Sequence, residues 1–354
     1  MTAKRVFTVV AAAAVTISVS ACGSMETADQ IAGKSTGGAS SSSCPVKINS
    51  NVTGTIRIAW QSIPNADLIV KDQKLLEKCM PKATIKWSQF NSGGDVVQAF
   101  GSKSLDIGLA GSSPSVKAVS APLSLPVKVI WIHDVIGKAE SLVTRDSDIT
   151  TIEGLKGKTI ATPFGSTSHF SLLMALQKAG MSSSDVSLIN LDPDKMEGAW
   201  TKGQIDAAWV WDPVLSELKK DGGTVVTSSA VTAKEGAATY DMELASDNFI
   251  SKNPSALVTW TAVENYAVGL IKSKPTQAAE SIAAQLGITT SQVKSQFAGY
   301  TYPKASEQKD IFTDELPSVF KKTAEFLKDQ GSLDSVNSNY ANNLYATAIK
   351  AVAK

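Results

Sequence analysis

Hydroxyl side chains stand at the start of a predicted helix in the stretch 165–171, Gly-Ser-Thr-Ser-His-Phe-Ser. Residues 157–163 before it are typical of a short buried strand ending at a proline, and residues 172–180 after it combine strong helix formers with a closing glycine. We therefore expect Ser166 or Thr167 to be the helix N-cap. The free N–H groups of the first turn and the helix dipole favour negative charge, so this junction can bind an anion.

A second junction of the same kind follows an apolar strand predicted at 105–109. There Pro114 suits the first helical position and Ser113 the N-cap, with Ser112 directly before it. Neither junction contains the lysine of a phosphate-binding P-loop. The two junctions therefore predict a small monoanion held by neutral hydroxyl and amide groups. The alternative for each junction is an ordinary capped helix without a ligand.

Composition indicates an α/β protein and gives no reason to expect nucleic acid as a partner. The 354 residues include 34 Lys and Arg against 33 Asp and Glu, so the net charge is only +1. The length is sufficient for two domains. Short apolar strands alternate with helical stretches along the chain, and this alternation is typical of an α/β fold.

The N-terminal residues resemble a bacterial export signal. Lys4 and Arg5 precede an apolar run at 6–19 that is too short for a typical membrane span. The run leads into Val-Ser-Ala-Cys-Gly around Cys22, which resembles a lipobox, the motif in which the cysteine is lipidated and becomes the first mature residue. We therefore predict a signal peptide at 1–21 and a lipid anchor at Cys22, on the extracytoplasmic face of the cell membrane. An ordinary cleaved signal is the alternative.

A flexible tether is predicted at 22–54, because a stretch rich in Ser, Gly, Ala and Thr cannot build a core. Two further cysteines, Cys44 and Cys79, remain in what reads as an exported protein, and we expect them to form a disulfide. The disulfide would attach the end of the tether beside a helix that ends near Cys79. Two free buried thiols are the alternative.

No pattern of metal ligands or catalytic groups stands out in the sequence. The chain has two histidines, His133 and His169, and no close Cys/His cluster, so we predict no metal ion and no cofactor. Neither a Ser-His-Asp order with supporting motifs nor a Cys–His pair is present. We therefore expect a protein that is not an enzyme, in which His169 has a packing role on its helix.

The order of strands and helices predicts two α/β units and the position of a ligand. We place the first unit at 55–150 together with 241–354, and the second at 151–240, where a new series of strands and helices begins. Ligands of open α/β sheets bind beyond the carboxyl ends of the strands. Gln61 and Glu140 stand at such positions and are candidate binding residues.

Four short stretches together resemble a known family. They are Gly-Ser-Ser-Pro at 111–114, Gly-Ser-Thr-Ser-His-Phe-Ser-Leu-Leu at 165–173, Ala-Ala-Trp-Val-Trp-Asp-Pro at 207–213 and Ala-Thr-Tyr-Asp at 238–241. Each is loose by itself, but their order and spacing resemble the substrate-binding proteins of ABC importers in the nitrate/sulfonate/taurine group, specifically its taurine-binding branch. The resemblance runs from about Ile56 to the C-terminus.

The resemblance implies a periplasmic-binding-protein-like fold of type II, in which two α/β lobes joined by two crossovers close on a ligand. It implies taurine or a related small sulfonate as ligand, with a membrane permease and an ATPase as partners, and we expect a monomer. Asp212 departs from the family, where a small residue is common, and this leaves other aliphatic sulfonates and nitrate-like anions open. A pyrimidine-precursor synthase of the same fold is a more remote alternative.

Taurine carries a sulfonate and an ammonium two carbons apart, and different residues suit its two ends. Helix N-termini at Ser113 and Thr167, with nearby hydroxyls and the amide of Gln61, would serve the sulfonate. The resemblance places Asp241 at the cleft, where a carboxylate would bind the ammonium through charge-assisted hydrogen bonds. Glu140 is the second candidate, with a hinge-stabilising hydrogen bond as its alternative role. The predicted ligand-binding set is Gln61, Ser112, Ser113, Glu140, Ser166, Thr167, Asp241 and Trp211, whose ring either covers the ligand's carbon atoms or packs in the strand core.

Overall fold

The computed structural model describes residues 43–353. The signal peptide predicted at 1–21, the lipidation site Cys22 and the first part of the predicted tether lie outside the described residues. Within the described part of the chain, no helix combines the length and the apolar character needed to cross a membrane.

Strands and helices alternate through the first two thirds of the chain, and helices dominate the rest. The strands are β1 (Gly54–Gln61), β2 (Ala83–Phe90), β3 (Ile107–Gly111), β4 (Val127–Ile136), β5 (Glu140–Thr144), β6 (Thr159–Thr162), β7 (Ser187–Asn190), β8 (Ala207–Trp211), β9 (Thr224–Ser228), β10 (Tyr240–Ser246) and β11 (Tyr300–Thr301).

The α-helices are α1 (Ala66–Asp72), α2 (Leu75–Cys79), α3 (Gly93–Gly101), α4 (Ser112–Val119), α5 (Thr167–Lys178), α6 (Pro193–Thr201), α7 (Val214–Lys220), α8 (Ser229–Lys234), α9 (Asp247–Lys252), α10 (Pro254–Ser273), α11 (Pro275–Leu286), α12 (Thr290–Gln296), α13 (Ala305–Asp310), α14 (Leu316–Asp329) and α15 (Thr347–Val352). A π-helical turn, Ile311–Glu315, joins α13 to α14. Short 3-10 turns lie at Glu153–Leu155, Ser183–Asp185, Phe297–Gly299 and Tyr340–Asn343.

The first lobe is built on a six-stranded sheet with the order β11-β4-β10-β3-β1-β2. β1 is parallel to β2 and β3, whereas β10 is antiparallel to β3 and β4. Every residue of β3 is buried, as expected of a central strand whose two faces are both covered by helices. The C-terminal helices pack on this lobe, and the edge of Trp260 from α10 meets the ring of Trp131 from β4 at 6.4 Å between centroids.

The second lobe is built on a five-stranded sheet with the order β7-β6-β8-β5-β9. The chain enters it after β4 and leaves it before β10, so two crossovers join the lobes, and the predicted two-lobed α/β fold is confirmed. The boundary predicted between 150 and 151 lies too late, because β5 pairs with β8 and β9 and thus belongs to the second lobe. Alternating apolar residues predict a strand but not the sheet in which it pairs.

β10 in the first sheet and β5 in the second occupy equivalent positions. Each is the first strand after a crossover, and each runs antiparallel to its neighbours. Their first residues therefore lie at the same sheet edge as the carboxyl ends of the parallel strands. Glu140 begins β5, and Asp241 is the second residue of β10, so both acidic side chains come to the edge where ligands of such sheets bind.

Residues 43–53, the last part of the predicted tether, pack on the first lobe. Cys44 forms a disulfide with Cys79 at the end of α2, as predicted. The backbone N–H of Asn49 donates to the carbonyl of Cys79 at 2.7 Å, and its amide donates to the carbonyl of Ser255 at 3.2 Å. The prediction of a flexible tether up to residue 54 is therefore wrong for residues 43–53. A disulfide and long-range hydrogen bonds hold this segment against the first lobe.

Candidate functional site

A cleft of about 320 Å³, which includes some open space at its mouth, lies between the two lobes. It is bounded by the ends of strands and the beginnings of helices from both sheets. The lining residues are Gln61, Ile63, Gly93, Gly111, Pro114, Ile136, Tyr300 and Asp241 from the first lobe, and Glu140, Ser166, Thr167 and Trp211 from the second. The space between its walls is narrow, so a site here could hold only a small ligand and not a polymer.

The N-termini of α3, α4 and α5 all begin at this cleft. Ser92 caps α3 by accepting from the N–H of Asp95, and Ser166 caps α5 by accepting from the N–H of His169 at 3.2 Å. The first N–H groups of each helix have no intrahelical acceptor, and the helix dipoles place partial positive charge at the same points. Three helix N-termini at one small cleft form an environment that favours an anion.

The start of α4 differs from the prediction. The helix begins at Ser112 with Gly111 as its N-cap residue, so Ser113 is not the cap and Pro114 is the third helical residue. Proline is tolerated here because no N–H in the first turn has an intrahelical acceptor to lose. Because the helix starts earlier than predicted, different residues reach the cleft. Gly111 and Pro114 line it, whereas Ser112 and Ser113 do not.

The hydroxyl groups predicted to face the ligand are mostly engaged with the protein itself. Ser166 donates to the carbonyl of Pro163 at 2.6 Å, and Ser112 accepts from the N–H of Tyr240 at 3.3 Å. Ser113 is buried and its hydroxyl has no hydrogen-bond partner. The donors left at the helix starts are therefore chiefly backbone N–H groups.

Glu140 is fully buried and is held by two hydroxyl groups. Thr167 donates to one of its carboxylate oxygens at 2.5 Å, and Ser229 donates to the other. Burial raises the pKa of Glu140, and the hydrogen bonds from these hydroxyls oppose that rise. Ser229 belongs to α8 and Thr167 to α5, so Glu140 connects two helices of the second lobe to β5 through hydrogen bonds. Glu140 also lines the cleft.

Asp241 faces the cleft with a second carboxyl group, Asp134, behind it. The two residues are cross-strand neighbours on β10 and β4. Burial and the charge of Glu140 raise the pKa of Asp241 to about 8, and the neighbouring Asp134 partly opposes this rise. Burial and then the charge of Asp241 raise the pKa of Asp134 well above its usual range, so Asp134 keeps its proton near pH 7, and its buried carboxyl oxygens have no hydrogen-bond partner. A cation in the cleft would favour the charged form of Asp241.

Aromatic and amide side chains complete the walls of the cleft. Trp211 ends β8, is 7% exposed and lines the cleft. Tyr300 also lines the cleft, and its buried hydroxyl has no hydrogen-bond partner. The amide nitrogen of Gln61 donates to the carbonyl of Leu109 at 2.9 Å, which fixes the side chain at the end of β1.

Asp212, which departs from the family pattern, stabilises a helix. One of its carboxylate oxygens accepts from the N–H of Ser216 at 3.0 Å and from the Ser216 hydroxyl at 2.5 Å, at the start of α7. Burial raises the pKa of Asp212 to about 6, and the hydrogen bonds from Ser216 oppose this rise. Asp212 is not among the lining residues of the cleft.

His169 has a packing role, as the sequence predicted, and its contacts are with the loop directly before its own helix. Its Nδ1 accepts from the N–H of Gly165 at 3.1 Å, and its ring stacks on Phe164 with 4.6 Å between centroids. Burial and the charge of Lys117 lower the pKa of His169 to about 4, so the ring is neutral near pH 7.

Sequence reasoning missed Asp134, Tyr300 and Gly93 at the site. Asp134 lies within the largely apolar strand β4, and an acidic side chain in such a strand was the available signal. Tyr300 lies in the two-residue strand β11, too short to leave a pattern. Gly93 begins α3 where a side chain would collide with Pro114, since a Cβ there would lie 2.7 Å from its Cγ.

Comparison with known proteins identifies the family. Residues 85–278 match the family described as NMT1/THI5 like. The chain belongs to the NMT1/THI5-like family. It is also 34% identical over 265 residues to the taurine-binding periplasmic protein of Escherichia coli (strain K12), a match covering 73% of this chain and 82% of that protein. The resemblance predicted from the four motifs is thereby confirmed.

Solved structures share the same fold. The alkanesulfonate-binding protein SsuA from Xanthomonas axonopodis pv. citri, bound to MOPS, superposes with a TM-score of 0.68 at 25% identity, covering 82% of this chain and 96% of that one. The periplasmic aliphatic sulphonate binding protein SsuA from Escherichia coli superposes with a TM-score of 0.68 at 24% identity, covering 84% of this chain and 100% of that one. Both likenesses agree with the periplasmic-binding-protein-like architecture.

Proposed function

We propose that this protein is the extracytoplasmic substrate-binding component of an ABC importer and that it binds taurine, or a closely related aminosulfonate, between its lobes. The observation that supports the proposal is that one cleft contains groups suited to an anion and a group suited to a cation. Three helix N-termini, two from the first lobe and one from the second, begin at the cleft, and the carboxyl group of Asp241 lies on the strands beside them. A zwitterion with an anionic and a cationic end matches both.

The sulfonate end suits the helix starts. A sulfonate spreads one negative charge over three oxygens and binds several weak donors rather than one cation. Backbone N–H groups at the first turns of α4 and α5 offer such donors, and the dipole of each helix favours the charge. Lys117 approaches the start of α5, with its Nζ 3.5 Å from the Cβ position of Gly165, but it does not line the cleft.

The ammonium end suits Asp241. In a closed cleft an ammonium loses its water and needs a negative partner. Burial raises the pKa of both Asp134 and Asp241, and an ammonium beside Asp241 would favour its charged form while Asp134 stays protonated, so the pair would then carry one negative charge. A charge-assisted hydrogen bond of this kind contributes about 1.5–3 kcal/mol. Glu140, already held by two hydroxyls, adds negative charge nearby but has its hydrogen-bonding capacity largely filled.

Isothermal titration calorimetry of the purified mature protein tests the assignment. The panel is taurine, ethanesulfonate, β-alanine and nitrate, which separates the anionic end from the ammonium. We expect taurine to bind with a Kd of the order of 1 μM, about −8 kcal/mol, and ethanesulfonate to bind more weakly. β-Alanine, whose flat carboxylate replaces the sulfonate, should also be weaker.

Two results would redirect the proposal. Tighter binding of ethanesulfonate than of taurine would replace taurine by aliphatic sulfonates, the ligand class in the names of both solved relatives. Consumption of a ligand during the titration, seen as new products by mass spectrometry, would instead favour an enzyme of the same fold.

We also propose that Cys22 anchors the protein to the outer face of the cell membrane. The support is the lipobox-like sequence around Cys22 and the export signal before it. Replacing Cys22 with serine should release the protein into the medium or leave an uncleaved precursor. Fractionation and N-terminal processing identical to those of the unaltered chain would refute the anchor.

A further inference from the structure

A second group of acidic side chains surrounds His133 inside the first lobe, away from the cleft. Asp67 comes from α1, Glu243 from β10 and Glu264 from α10, and all of them are at most 1% exposed. None of these residues lines the ligand cleft. The sequence predicted no metal site, because the four residues are far apart along the chain and only the fold brings them together.

Three of these residues converge on one point. Nε2 of His133 lies 2.8 Å from Oε2 of Glu243 and 3.8 Å from Oδ2 of Asp67. The three candidate ligand atoms all lie within 4.8 Å of one another. Zn–N and Zn–O bonds of about 2.0–2.2 Å in a tetrahedral site set neighbouring ligand atoms roughly 3.3–3.6 Å apart, so the two measured distances bracket the spacing that a bound ion requires.

Glu264, the fourth residue of the group, lies next to the other ring nitrogen of His133. Oε2 of Glu264 lies 3.9 Å from Nδ1 of His133, the ring nitrogen that faces away from Asp67 and Glu243. Metal-bound histidines usually direct their second ring nitrogen towards a carboxylate or a carbonyl, which fixes the ring and its tautomer. Trp260 holds the other edge of the ring in a T-shaped contact with 6.2 Å between centroids.

The polar atoms of the group lack other partners. Both carboxylate oxygens of Asp67, both of Glu264 and Nδ1 of His133 are buried without a hydrogen bond. Among the residues that the structure describes, no lysine or arginine forms an ion pair with Asp67, Glu243 or Glu264. Burying polar atoms without hydrogen bonds is costly, and a bound cation would provide these oxygen and nitrogen atoms with a partner.

We propose that Asp67, His133 and Glu243 bind a divalent transition-metal ion, of the zinc or manganese type, with Glu264 as the positioning partner of His133. One imidazole and two carboxylates are ligands that both ions accept. The ion would join α1 to β4 and β10 and so hold the strand that carries Asp241. Its role is structural, because the residues are closed to solvent and leave no path for a substrate.

Metal analysis of the whole protein tests this. The mature chain is purified from cells grown with added zinc or added manganese, passed through chelator-treated gel-filtration medium and measured by inductively coupled plasma mass spectrometry. The ion would bind as the first lobe folds and would then be enclosed by it. It should therefore stay bound through gel filtration. We expect about one equivalent of metal in the unaltered protein, and less than about a tenth of an equivalent in Asp67→Asn and Glu243→Gln.

The matched control is Asp212→Asn, which changes a buried carboxyl group in the other lobe and should keep the full metal content. X-ray absorption at the metal edge of the unaltered protein gives a second measurement that needs no variant. It should show nitrogen and oxygen ligands, one imidazole and no sulfur. A metal content below a tenth of an equivalent in both growth conditions would overturn the site, as would full metal content in both variants or an absorption spectrum without imidazole.

Discussion

Gly111 and Thr167 meet across the cleft, each from a different lobe. A Cβ atom built on Gly111 would lie 2.5 Å from Cγ2 of Thr167, far inside van der Waals contact. The lobes therefore approach as closely as they do only because residue 111 is glycine. Gly111 is also the N-cap residue of α4, so the residue that permits this close approach lies directly before a helix start at the cleft.

Gly111→Ala should weaken ligand binding without unfolding the protein. The added methyl group opposes closure, and overpacking of this kind costs about 1–3 kcal/mol, which corresponds to a roughly 5- to 150-fold higher Kd. Calorimetry with taurine measures the effect. Adding Thr167→Ser removes Cγ2 but keeps the hydroxyl that donates to Glu140, so the double variant should recover most of the affinity.

Gly198→Ala is the matched control, because a Cβ at Gly198 meets no atom within 4 Å and this position lies on α6. Its Kd should equal that of the unaltered protein. If Gly111→Ala binds normally, or if Thr167→Ser gives no recovery, closure does not depend on this contact.

Asp241→Asn should distinguish between ligands with and without an amine. The change keeps the shape of the side chain but removes the charge that pairs with an ammonium, so taurine should bind about 2–4 kcal/mol more weakly. Ethanesulfonate should lose far less affinity, or gain some, because no carboxylate then lies near it. Calorimetry with both ligands measures the difference.

Asp134→Asn is the comparison variant for Asp241→Asn, because it changes the neighbouring carboxyl group instead. Asparagine replaces a carboxyl group that keeps its proton with a neutral amide of similar size, so the charge beside Asp241 should change little. We therefore expect a smaller loss for taurine than in Asp241→Asn. Equal affinity of Asp241→Asn and the unaltered protein for taurine would move the recognition of the amine to another residue, with Glu140 the next candidate.

His169 should make the protein less stable in acid. Burial lowers its pKa to about 4, below the value of about 6.5 in the unfolded chain, so the unfolded state binds a proton that the folded state does not. Its contribution to stability is complete above pH 6.5 and is lost as the pH falls towards 4. Since each pKa unit corresponds to about 1.4 kcal/mol, the loss should be up to about 3 kcal/mol.

Urea unfolding at a series of pH values measures this effect. His169→Asn retains an acceptor near the N–H of Gly165 but cannot take up a proton in this range. The difference in unfolding free energy between the unaltered protein and the variant should therefore shrink as the pH falls from 7 to 4.5. A difference that stays constant with pH would show that His169 does not titrate as we expect.

The disulfide should stabilise the fold with little effect on binding. Cys44 and Cys79 are 35 residues apart, and the loop-closure argument gives roughly 3–4 kcal/mol for a bridge of that span. The double change Cys44→Ser with Cys79→Ser should lower the urea midpoint accordingly and leave the taurine Kd unchanged, because neither residue lines the cleft. Mass spectrometry that found both thiols free in the exported protein would contradict the pairing.

Part of the site could be predicted from the sequence, because it depends on residues that are close together along the chain. The cap at Ser166 and the turn at Gly165 depend on neighbours within one helical turn, so the start of α5 was predicted correctly. The ends of β1 and β8 follow from short apolar runs and place Gln61 and Trp211 at the cleft edge. The start of α4 was misplaced by two residues, because a proline is accepted at several positions of a first turn.

Long-range pairing decided what the sequence alone left open. Strand β5 joins the second sheet because Glu140 to Thr144 find hydrogen-bond partners on β8 and β9, more than 60 residues further along the chain. Cross-strand register likewise sets Asp134 behind Asp241, and helix packing brings Asp67 and Glu264 to His133. The sequence by itself determined the helix starts that suit an anion and the family to which the chain belongs. Only the tertiary structure decided which acidic groups meet, because the protonation of two neighbouring carboxyl groups depends on their distance in space and their burial, neither of which is encoded in local spacing.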